Sequence, residues 1–93
     1  MNVSFIKLLH ARIKQKELFM YLKRLRELRE DADAKQIVIA NLLKITRQQY
    51  SLYETGKRTI PVNYIKILAK YYNTSCDYIL EVTDEMKPYK KSS

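Results

Sequence analysis

A chain of 93 residues with one glycine and two prolines has little turn chemistry for β-hairpins and is sized for one small domain. With 46% hydrophobic residues it reads as a folded all-α protein, not a disordered chain, and its formal net charge of +8 suits either a polyanion-binding face or plain solubility. The lone Cys76 excludes an intrachain disulfide and suits a reducing cytoplasm, and the lone His10 argues against structural zinc. No nucleophile–base pair or phosphate-cradling glycine loop is legible, so neither enzymatic activity nor a metal or cofactor is expected.

The start, "MNVSFIKLLHARIK", is too often interrupted by charge for a signal peptide. Its apolar residues Phe5, Ile6, Leu8, Leu9 and Ile13 suit an extra helix that covers a site or pairs two subunits. Residues 1–19 could equally precede a natural start at Met20, and then residues 1–18 should be disordered. From Tyr21 to Glu30, Leu22, Leu25 and Leu28 recur at three-residue spacing, with Lys23–Glu27 and Arg26–Glu30 pairs one turn apart. "DADA" interrupts this helix. A second, "KQIVIANLLK", puts Ile39, Ala40 and Leu43 on one stripe.

The third helix opens at Thr46, whose hydroxyl can cap the free N–H groups, and stops at Gly56, where a left-handed residue carries no steric penalty. Pro61 is expected in the first turn of a fourth helix, whose stripe is Ile65, Leu68, Ala69 and Tyr72 and whose stop is Asn73. Ser75 caps a short fifth helix with Cys76, Tyr78 and Ile79 turned inward. Past Thr83 the basic tail lacks apolar periodicity and should fray. Charge is uneven along this plan. Residues 35–58 hold Lys35, Lys44, Arg47, Lys57 and Arg58 against a single acid, Glu54.

The order "LRELRE", "KQIVIANLLKITRQQYSLYETGKR", "PVNYIKILAKYYNTSCDYIL" resembles the phage-repressor-type helix-turn-helix domain, or XRE family, over about Leu22 to Leu80. The resemblance rests on Gln36, Ala40, Thr46-Arg47-Gln48, Tyr53-Glu54, Gly56-Lys57 and the terminal "SCDYIL" taken together. It implies a five-helix lambda-repressor-like fold with an N-terminal extension (1–20), a domain at 21–82 and a tail at 83–93. It also implies a DNA-binding transcriptional regulator, a homodimer on a two-fold operator and a repressor by occupancy.

Carried over by position, the base-reading residues are Thr46, Arg47, Gln48 and Leu52, flanked by Gln49 and Ser51. Arginine can bond guanine through two hydrogen bonds and glutamine can do the same at adenine. Phosphate contacts fall on Gln36, Thr55, Lys57 and Arg58, and Tyr53 could add its hydroxyl. Arg29 should pair with Glu54 inside the domain, and Tyr50 and Tyr53 should pack. The chain departs from the family at Lys44, where a glycine is usual, and at Leu52, which replaces a polar reader. Ile37 and Val38 stand where polar residues are preferred, and Ala34 is small where a larger apolar residue is usual. Those exposed apolar residues, or the N-terminal extension, admit a protein partner, as in an antitoxin-like module. RNA binding lacks the aromatic–basic interleaving that common RNA modules use.

Overall fold

The computed structural model describes residues 21–88; the expectations for residues 1–20 and 89–93 lie outside it. Five helices form, with no strand among the described residues: α1 (Lys23–Asp31), α2 (Gln36–Leu43), α3 (Arg47–Glu54), α4 (Val62–Tyr71) and α5 (Cys76–Ile79). Leu22, Leu25 and Leu28 of the first run meet Ile39, Ala40, Leu43, Tyr50, Ile60, Ile65, Leu68, Ala69 and Ile79 in one buried cluster. The three-and-four spacing read in the sequence is therefore the spacing of the core.

The helices share one way of stopping. Asp33, Lys44, Asn73 and Glu81 follow α1, α2, α4 and α5 with φ between 53° and 63°, and Gly56 follows α3 at 78°. At each of the four, the next N–H turns back to a carbonyl of the preceding turn: Ala34 to Arg29, Ile45 to Ala40, Thr74 to Ala69 and Val82 to Asp77. That bond satisfies a carbonyl that helix termination leaves free. A non-glycine residue in this conformation costs about 1–2 kcal/mol. Among the described residues the chain accepts that cost four times and uses its glycine once. At Gly56 a side chain would also meet the Cα and Cβ of Tyr21 at 3.1 Å, so backbone conformation and space both favour glycine there.

Three details differ from expectation. Pro61 sits one residue ahead of α4 as its N-cap, with its carbonyl accepting from Tyr64 and Ile65. The ring fixes φ at −61°, which suits an extended cap as well as a first turn. Arg26 pairs with Glu30 along α1, but Lys23 reaches Glu81, 3.8 Å away and distant in sequence. The chain past Thr83 is also fastened, because Arg24 donates to the carbonyls of Tyr78 and Thr83 and to the carboxylate of Asp84. Its guanidinium lies 4.0 Å over the Tyr78 ring, and the Thr74 hydroxyl donates to the carbonyl of Met86. A buried arginine with three acceptors thus straps residues 83–86 to α1 and α5.

Candidate nucleic-acid interface

Lys44, Ile45 and Thr46 join α2 to α3. Lys44 is left-handed at φ 60°, ψ 40°, which turns the chain sharply enough to start α3 across α2. Thr46 is extended and caps α3: its Oγ1 accepts from the Gln49 N–H at 3.1 Å, and Gln49 Oε1 accepts from the Thr46 N–H at 3.2 Å. This reciprocal pair is a capping box, which fixes where the helix begins. Gln49, read from sequence as a flank of the base-reading group, has its amide oxygen engaged in that cap.

The faces of α3 then separate by chemistry. Tyr50 and Glu54 are buried, Ser51, Leu52 and Tyr53 are half-buried, and Thr46, Arg47, Gln48 and Gln49 are exposed on the first turn. Tyr53 packs its ring on Tyr64 of α4, with centroids 6.1 Å apart. Leu52, half-buried, lies at the margin between the two faces.

Glu54 anchors the helix from behind. Its carboxylate is 3% exposed and accepts from Arg29 Nη2 at 2.7 Å and Nε at 2.9 Å. The third arm of Arg29 donates to the Ala34 carbonyl at 2.9 Å. Burial pushes the Glu54 carboxyl up, but the bonds from Arg29 and Gln36, with the nearby Tyr50 hydroxyl, outweigh it and leave it below the ordinary carboxylate range. Arg29 is held above its ordinary value, chiefly by its bond to Glu54. The Tyr50 hydroxyl is buried and reaches no full hydrogen-bond geometry among the described residues, although it is close enough to help hold the charge on Glu54. The phenol itself is pushed far up by burial and then by that charge.

Gln36 stands at the first position of α2 and divides its amide. Its Nε2 donates to Glu54 Oε1 at 3.3 Å, and its Oε1 accepts from Arg47 Nη1 at 3.4 Å. Arg47, on the exposed turn, is thereby linked through Gln36 to the buried Arg29–Glu54 pair. Beside it lies a depression of about 400 Å³ walled by Tyr21, Arg26, Arg29, Gln36, Glu54 and Thr55. Tyr21 and Arg26 are the residues of this wall that sequence reading left out; the pair of Arg26 with Glu30 one turn away looks like an ordinary solvated contact. Thr55 donates its hydroxyl to the Ser51 carbonyl at 2.8 Å, which closes the end of α3. Lys57 and Arg58 follow on the exposed loop. With Glu54 neutralised by Arg29, no unpaired carboxylate from residues 35–58 opposes the cations of this surface.

A helix that ends in the left-handed turn at Lys44, followed by a capped second helix with long polar groups on its first turn, is the arrangement of helix-turn-helix proteins. A helix-turn-helix family profile matches residues 25–79, more than half of the chain. The chain belongs to the phage-repressor-type helix-turn-helix family. It is also 36% identical, over 69 residues, to the uncharacterized HTH-type transcriptional regulator YobD of Bacillus subtilis (strain 168). That match covers 74% of this chain and 62% of YobD, so the chain spans less than two thirds of its curated relative. No solved structure matches. No helix among the described residues is long and apolar enough to cross a membrane, and they contain no group of three or more potential metal-ligating side chains.

Proposed function

We propose that this chain is a DNA-binding transcriptional regulator that acts in the cytoplasm as a dimeric repressor by occupying an operator. The observation that carries the reading is α3, which exposes Arg47 and Gln48 on its first turn while Glu54 and Arg29 hold its other end inside the domain. In a major groove, Arg47 supplies a two-bond contact to guanine and Gln48 one to adenine. Thr46 and Ser51 add single hydroxyl contacts, and Leu52 meets a thymine methyl at the margin. The N–H groups opening α2 and the side chains of Gln36, Thr55, Lys57 and Arg58 contact phosphate, with Arg26 adding charge beside them. These contacts set register, and the first turn of α3 sets sequence.

Selection of bound sites from random duplexes tests this reading. The parent should enrich one motif, Arg47→Ala should blur one base within it, and the absence of any enriched motif would defeat sequence-specific binding. A second reading, an antitoxin-like module with secondary DNA binding, is favoured by Ile37 and Val38, both exposed on α2. Binding of the same operator by Ile37→Ser and Val38→Ser variants, with no partner co-purifying with the parent, would exclude it.

A further inference from the structure

The apolar stripe of α4 that faces the core is Ile65, Leu68 and Ala69, continued just past its end by the half-buried Tyr72. The same helix carries a second row, Tyr64, Ile67 and Tyr71, at spacings of three and four, which places the three on one flank. Tyr64 is half-buried against Tyr53, whereas Ile67 is 40% and Tyr71 47% exposed. At the far end of the row, Tyr71 stands edge-on to Tyr72, with ring centroids 5.1 Å apart. There the surface sinks into a depression of about 360 Å³ between Leu28, Asp31 and Ala32 of α1, Tyr71, Tyr72 and Met86 of the strapped segment. Met86 is 46% exposed at its rim. The result is an apolar ridge beside an apolar hollow.

The charges around it say what fits. Asp31 lines the hollow at the last position of α1, where the helix dipole disfavours a carboxylate. No base among the described residues lies within ion-pair distance of it. Lys66 and Lys70, exposed on α4, likewise make no ion pair among the described residues. A face that carries both an unpaired acid and unpaired bases can set each acid against the other copy's base after a two-fold rotation. An isologous interface requires that property, since residue i must meet j while j meets i.

We propose that this face binds a second copy of the chain: the Ile67–Tyr71 ridge of each copy enters the hollow of the other, and Lys70 of each meets Asp31 opposite. The proposal concerns the surface of the dimer and is tested without DNA. Sedimentation equilibrium of the full chain should show a reversible dimer. Ile67→Asp, with an unchanged helical circular-dichroism spectrum, should weaken it at least about tenfold, because a carboxylate would be driven into apolar contact. Asp31→Lys and Lys70→Glu should each weaken it by about two- to fivefold, and the double variant should recover the parent constant. A parent that stays monomeric, or a dimer indifferent to Ile67→Asp, overturns the proposal. Charge reversals with no recovery in the double variant overturn the two-fold pairing. A duplex holding one half-site keeps the two readings apart: monomeric Ile67→Asp should still bind it, and its failure there with an intact parent dimer would count against the DNA reading instead.

Discussion

A carboxylate that is 3% exposed keeps its charge only if its neighbours make ionisation favourable, and around Glu54 the two-bond fork of Arg29 does most of this. Removing one partner is far costlier than the net value of the pair, because the other charge is then left buried. Glu54→Gln should therefore lose about 3–5 kcal/mol at neutral pH, measured by urea unfolding. The pH dependence has a definite sign. The folded carboxyl lies below its ordinary 4.5, so ionised Glu54 adds stability above that value. The contribution drains away as pH falls through the lowered folded value. The parent should thus lose stability on acidification below about pH 4.5, and Glu54→Gln should flatten that part of the curve. An equally steep loss in the variant would assign acid sensitivity to other carboxylates.

At the scale of the element, α3 separates what starts a helix from what is proposed to read DNA, although both fall within four residues. Thr46 and Gln49 close the capping box, leaving Arg47 and Gln48 between them exposed. Gln49→Ala should therefore lower the urea midpoint while leaving the preferred bases unchanged; a changed preference would mean that Gln49 leaves the cap on DNA. Loss of a cap costs about 0.5–2 kcal/mol, enough to measure in a small domain. The helices themselves were legible in the sequence, because their core stripes repeat at three and four and their stops fall at Asn73 and Gly56. The break at "DADA" was legible too, but not the left-handed residue that makes it, Asp33, nor the strap made by Arg24. A long basic side chain on an amphipathic helix reads as solvated when its acceptors, the carbonyls of Tyr78 and Thr83, lie more than fifty residues away. The same limit hid the hollow beside Tyr71, since periodicity identifies the buried flank of α4 but does not show which part of its other flank borders α1.

At the scale of the whole molecule, two pairs of cations among the described residues are proposed to have different tasks. Lys57 and Arg58 follow α3 on the surface assigned to phosphate, whereas Lys66 and Lys70 lie on α4 beside the ridge proposed to meet a second copy. Counterion release separates them. Each phosphate neutralised contributes about 0.9 to the slope of log affinity against log salt on B-DNA, whatever the base sequence. On a half-site duplex, where dimer formation does not enter, Lys57→Ala should lower the slope by about one and weaken every sequence alike. Lys70→Ala should leave both slope and affinity unchanged there, because its charge is spent on another protein surface. On a full operator the order changes: Lys70→Ala should weaken binding through loss of the partner, with each bound subunit keeping its phosphate contacts. A reduced half-site slope for Lys70→Ala would move α4 onto the DNA and leave the two-fold contact without its base.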